Sequence, residues 1–109
     1  MSETNIPHLR RSQASKFSPE QERMAKMILD TFGTQKAVNI AFCESGLNPL
    51  AHNYNPKTGD NSWGLFQINL YGDLKHERPS PEWLVIPENN IQYAYELYLR
   101  SGWTPWSCK

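Results

Sequence analysis

The chain has no excess of either charge: eleven Lys+Arg meet eleven Asp+Glu, for a formal net charge of zero over 109 residues. A nucleic-acid partner calls for a basic surplus to neutralise phosphates, so that class of partner is not expected. Long apolar runs are also missing. Hydrophobic residues make up 39% and the mean hydropathy is −0.67, and no stretch approaches the ~18 consecutive apolar residues of a membrane span. The first residues, MSETNIPHLRRSQASKF, contain no apolar core of the kind a standard secretory leader needs. His52 and His76 have no metal-ligand spacing with cysteines or carboxylates, so all three histidines read as surface or turn residues and no metal or cofactor is expected. There is no internal repeat and no low-complexity tract.

What remains is enough for one domain, since a domain takes roughly 150 residues. A chain of this size buries roughly 65% of the surface its unfolded form exposes, which supports a modest core in a monomer. Four Trp and five Tyr are many for so polar a chain, and rings with a polar tip suit half-wet surfaces such as sugar-binding clefts as well as small cores. Residues 1–17, with Ile6, Leu9 and the Arg10-Arg11 pair set among polar residues, read as an N-terminal arm ahead of a domain over residues 18–109.

Ser18-Pro19-Glu20-Gln21 supplies an N-cap, a proline for the first turn and a capping-box glutamine. Met24, Met27, Ile28 and Phe32 follow at helical spacing, with Gly33 as the stop. Thr34 opens a second helix whose apolar residues cover most of its surface, so it is expected to be central, and Gly46 ends it. Glu44 therefore falls in the last turn, where the partial negative charge of a helix C-terminus raises its affinity for a proton. A surface glutamate at a frayed end is the alternative.

Turn residues punctuate positions 47–69, and short strands or a hairpin are expected around Ala51–Tyr54 and Ser62–Gln67. Ser80-Pro81 starts a short helix through Leu84. A last helix from about Glu88 to Arg100 lines one face with Ile91, Ala94, Tyr95 and Tyr98, and Gly102 closes it. Cys43 and Cys108, the two cysteines, are an even count compatible with a disulfide in an exported protein, or else are reduced, with Cys43 an apolar filler. A thiol-hydrolase site built on Cys43 is set aside. Neighbouring helical residues point about 100° apart, so Cys43 and Glu44 cannot both face one cleft.

Three segments carry a further signal: Ala41-Phe-Cys-Glu-Ser-Gly-Leu-Asn-Pro49, Ala51-His-Asn-Tyr-Asn-Pro56 and Gly59-Asp-Asn-Ser-Trp-Gly-Leu-Phe-Gln-Ile-Asn69. With Asn90-Ile91 and the closing Gly102-Trp103-Thr-Pro-Trp106-Ser-Cys108, their order and spacing resemble the lysozyme superfamily. The similarity is greatest to soluble lytic transglycosylase-like domains, with goose-type and chicken-type lysozymes as relatives.

The resemblance implies an α+β, mainly helical fold with a small β-rich segment flanking a substrate cleft, and peptidoglycan glycan strands as substrate. It implies that Glu44 is the catalytic acid and that Ser45 orients an N-acetyl group. Ser62 stands where chicken-type lysozymes carry a second carboxylate, which leaves Asp60 as the possible substitute, or no second carboxylate, as in lytic transglycosylases. Gln67 and Asn69 would line the cleft, Trp63 and Trp106 would stack on sugar rings with Trp103 buried, and Tyr98 would face either cleft or core. Such a protein acts outside the cytoplasm, in a bacterial envelope or on the wall of a phage host.

Overall fold

A computed structural model describes residues 16–108. The proposed arm, with Ile6, Leu9, the Arg10-Arg11 pair and His8, lies outside these residues except for Lys16 and Phe17. Phe17 packs its ring on Phe42, with centroids 5.3 Å apart.

Helix α1 spans Pro19–Phe32, and its start follows the capping residues: Ser18 Oγ accepts from the Gln21 N–H and Gln21 Oε1 accepts from the Ser18 N–H. Gly33 ends it in the left-handed conformation. Helix α2, Gln35–Ser45, begins at Thr34, whose side chain accepts from the Lys36 N–H, and stops at Gly46, again left-handed. Ala37, Val38, Ile40 and Ala41 are buried, so α2 is the central helix the sequence suggests.

Strands β1 (His52–Asn55), β2 (Asp60–Trp63) and β3 (Ile68–Asn69) form one antiparallel sheet in the order β1-β2-β3. Asn55 pairs with Asp60 next to the turn and His52 with Trp63, while Ser62 pairs with Asn69. The expected strand over Ser62–Gln67 is broken in the middle. Gly64 (φ 80°) and Gln67 (φ 50°) are both left-handed, so residues 64–67 turn the chain and drop Leu65 and Phe66 into the core.

A 3-10 segment, Gly72–His76, which the sequence did not announce, leads to α3 (Pro81–Leu84) and α4 (Pro87–Ser101). Helix α4 packs on α1 and α3, and α1 on α2. The core lies between these helices and the 64–67 turn, with Ile28, Ile40, Leu65, Phe66 and Leu84 all at 2% exposure or less. The result is the α+β, mainly helical architecture with a small sheet. Among the described residues no helix is long and apolar enough to cross a membrane.

Candidate active site

Glu44 is half-buried in the last turn of α2. Two contacts fix that turn from outside the helix. Gln21 Nε2, at the start of α1, donates to Gly46 O at 3.1 Å, and Cys43 is disulfide-bonded to Cys108 with a Cα–Cα distance of 5.9 Å. Cys43 is exposed rather than an apolar filler. The Cys108 N–H donates to Glu44 Oε2 at 3.2 Å.

Burial holds the Glu44 carboxyl above its ordinary value of 4.5; the Cys108 N–H, which favours the anion, opposes this, and the negative charge of Asp60 adds to it. Desolvation and a like charge thus outweigh one hydrogen bond. The result is a carboxyl group that keeps its proton further toward neutral pH than an exposed glutamate does, as a general acid requires.

Asp60 opens β2, and its Oδ2 accepts from Thr58 Oγ1 at 2.6 Å. The side chain is therefore oriented by its own turn, while its charge is felt at Glu44. Ser62 is buried at 6% exposure in the middle of the sheet.

The Gly64–Gln67 turn is bound from three directions. Ser45 Oγ lies 2.7 Å from Leu65 O and 3.0 Å from Ala41 O, Asn90 Oδ1 accepts from the Phe66 N–H at 2.8 Å, and Trp106 Nε1 donates to Phe66 O at 2.9 Å. Asn90 Nδ2 also donates to Trp63 O and Leu84 O, at 2.9 and 3.0 Å. Gly64 is needed at the centre of this knot: a Cβ there would stand 2.6 Å from Leu84 O, on a residue with φ 80°. Helix α2, helix α4 and the C-terminal segment therefore share one turn, which sets the sheet against the helix carrying Glu44.

Several side chains singled out in the sequence serve this framework. The Ser45 hydroxyl is engaged with backbone carbonyls. Trp106, expected to stack on sugar, is 3% exposed with its indole N–H bonded inside the protein, whereas Trp103 is only half-buried. Trp106 is the more deeply buried of the two because its indole meets the Phe66 carbonyl, while Trp103 packs against the core beside Phe32 and Tyr98. Tyr98 stands in an aromatic group, 4.3 Å from the Trp103 ring and 5.6 Å from that of Phe32. Trp63 stacks on His52 with centroids 3.6 Å apart, and both rings hydrogen-bond Asn61 Oδ1, at 3.1 and 2.7 Å.

Gln67 Nε2 donates to Ala51 O and Gly64 O, and its Oε1 accepts from Asn53 Nδ2 at 2.7 Å. Asn69 Oδ1 accepts from the Asn61 and Tyr71 N–H groups, and Nδ2 donates to Gly59 O. Both residues nevertheless line a cavity of about 180 Å³ that reaches Trp106, Leu97 and Arg78. Asn90 and Arg78 carried no assigned role in the sequence. A polar residue beside Ile91 on the core-facing stripe of α4 is the signal that points to Asn90, and Arg78 offers none.

No curated protein and no solved structure matches the chain. A family model described as a lysozyme-like domain matches residues 27–108, which takes in α2, the sheet, the Gly64 turn, α4 and the closing Trp106-Cys108 segment. The chain belongs to the lysozyme-like domain family.

Proposed function

We propose that the protein cleaves the β-1,4 bond between MurNAc and GlcNAc in peptidoglycan, with Glu44 as its single catalytic carboxyl group. Protonated Glu44 gives its proton to the bridging oxygen, and the bond from that oxygen to C1 of the muramyl sugar breaks. The resulting carboxylate then takes the proton from that sugar's C6 hydroxyl, whose oxygen bonds to C1 and leaves a 1,6-anhydro end. No water is consumed and Glu44 regains its proton. A tethered hydroxyl supplies a high effective concentration, which stands in for a group that activates water. The observation that carries the reading is the half-buried Glu44 carboxyl held above its ordinary pKa, with Ser62 at the position where a second carboxylate would serve a hydrolase.

The alternative is a muramidase with Asp60 as second carboxylate. It is favoured by the charge of Asp60 acting on Glu44, and its geometry would have to match the ~5 Å or ~6.5–9.5 Å carboxyl separations of glycosidases. Under either reading no metal or cofactor takes part. The disulfide supports action outside a reducing cytoplasm, in a bacterial envelope or on a phage host's wall.

A zymogram on purified peptidoglycan with wild type and Glu44→Gln tests the acid. Equal clearing by both removes Glu44 from the mechanism, and no clearing by either leaves a glycan-binding module. Mass spectrometry of released muropeptides then separates the chemistries: anhydro ends mark the transglycosylase, and reducing ends the hydrolase.

A further inference from the structure

Arg78 follows the 3-10 segment, is half-buried, and borders the cavity formed with Gln67, Asn69, Leu97 and Trp106. Its Nη1 donates to Asn69 O at 2.9 Å, which orients the guanidinium, and among the described residues its other N–H donors have no hydrogen-bond partner. Among the described residues the ion pairs, Glu20–Arg23 and Lys26–Asp30, both lie along α1, so no described carboxylate neutralises Arg78. A partly desolvated cation is costly unless an anion completes it.

The cavity shares Gln67 and Asn69 with the cleft that the family resemblance implies. Trp106 stands two residues before Cys108, whose N–H reaches Glu44, and Gln67 closes the turn that Ser45 holds. A ligand entering beside Gln67 and Asn69 therefore meets Arg78.

We infer that Arg78 selects for substrate charge by pairing with a carboxylate of the muramyl unit. This rests on the peptidoglycan reading above. The muramyl sugar differs from its neighbour by a lactyl ether whose carboxyl is either free or joined to a peptide bearing its own carboxylates. Uncharged glycans of the same linkage have neither. A planar guanidinium fork matches a carboxylate in two parallel hydrogen bonds, a geometry that a neutral side chain cannot supply.

The test uses solubilised glycan strands in two forms, with peptide stems intact and with stems removed by an amidase so that the lactyl carboxylate is free. Each is compared with a portion whose carboxylates are converted to amides. For wild type, kcat/KM on a carboxylate-bearing form is expected to exceed that on its amidated counterpart by about tenfold, as for a hydrogen bond to a charged group. Preference on intact strands alone assigns the stem carboxylate, and preference on stripped strands assigns the lactyl group. Arg78→Gln brings the ratio close to one, and Arg78→Lys keeps part of it, which a purely structural loss would not do.

A wild-type ratio of one on both forms overturns the inference, as does a ratio that Arg78→Gln leaves unchanged. Strands left intact by wild type overturn the function itself, and the selectivity falls with it.

Discussion

The backbone N–H of Cys108 donates to Glu44 Oε2 at 3.2 Å, while the sulfur of Cys108 is bonded to Cys43, the residue before Glu44. Successive helical residues point about 100° apart, so sulfur and carboxyl leave α2 in different directions, yet both end on Cys108. The disulfide thus does two things: it closes the chain end onto the central helix, and it sets a hydrogen-bond donor on the candidate acid.

Opening that bond is expected to be costly. With 65 positions between the cysteines, the chain-entropy model gives about 4 kcal/mol of stabilisation. Reduction, or the Cys43→Ser/Cys108→Ser double substitution, should lower the thermal midpoint by roughly 15–30 °C and reduce activity at temperatures where the fold survives. Calorimetry with and without reductant checks the first, and turnover of peptidoglycan the second. An unchanged midpoint would show that the link contributes nothing.

The pH dependence has a determined sign. A general acid works while protonated, so activity falls as pH rises through the Glu44 pKa, which lies above the ordinary 4.5. The charge of Asp60 pushes that value up, so Asp60→Asn should move the alkaline limb of the kcat/KM profile toward lower pH. The same variant tests the hydrolase: a loss of roughly 100-fold or more at every pH would promote Asp60 to a chemical role.

Glu44 should also act against stability. Its proton is held more tightly in the folded than in the unfolded chain, so its contribution is favourable below the unfolded pKa and is lost as pH rises through the folded one. Glu44→Gln removes the charge and keeps an acceptor for the Cys108 N–H. The variant should therefore melt a few degrees above wild type at about pH 7, with a smaller difference at about pH 4. Thermal melts at the two pH values read this directly.

The helices were legible because their signals are local. Ser18 and Gln21 cap α1, Gly33 and Gly46 close α1 and α2, and Gly102 closes α4, each within a few residues of the backbone it governs. The position of Glu44 followed from Gly46 alone. The 64–67 turn was not legible, since an apolar run such as Leu65-Phe66 fits a strand, and only the approach of Asn90 and Leu84 requires Gly64 to turn. The burial of Trp106 was not legible for the same reason. Which indole meets the Phe66 carbonyl depends on tertiary packing across 40 positions.

Ser45 has a structural role beside the one the resemblance implies. Its hydroxyl donates to backbone carbonyls, 3.0 Å from Ala41 O and 2.7 Å from Leu65 O. Ser45→Ala should cost about 1 kcal/mol of stability, the worth of one ordinary hydrogen bond, with kcat/KM falling less than about tenfold. Denaturant titration and steady-state kinetics on one preparation separate the two effects. A large kinetic loss at full stability would return Ser45 to the substrate.

Asn90 should be among the least replaceable residues in the protein. It is fully buried, and its side-chain amide satisfies the Phe66 N–H and the Trp63 and Leu84 carbonyls at once, so removing it takes a hydrogen-bond partner from three backbone groups. Each such group costs about 1–3 kcal/mol when left unpaired, although local relaxation recovers part of the sum. Asn90→Leu is expected to destabilise by roughly 3–5 kcal/mol despite its apolar surroundings and similar volume. Asn90→Asp keeps the acceptor for Phe66 but loses both donors and buries a charge, so it should be no better. Urea unfolding monitored by tryptophan fluorescence gives the comparison. A Leu variant within about 1 kcal/mol of wild type would mean that the 64–67 turn holds its shape without α4, and that the sheet keeps its position against Glu44 by packing alone.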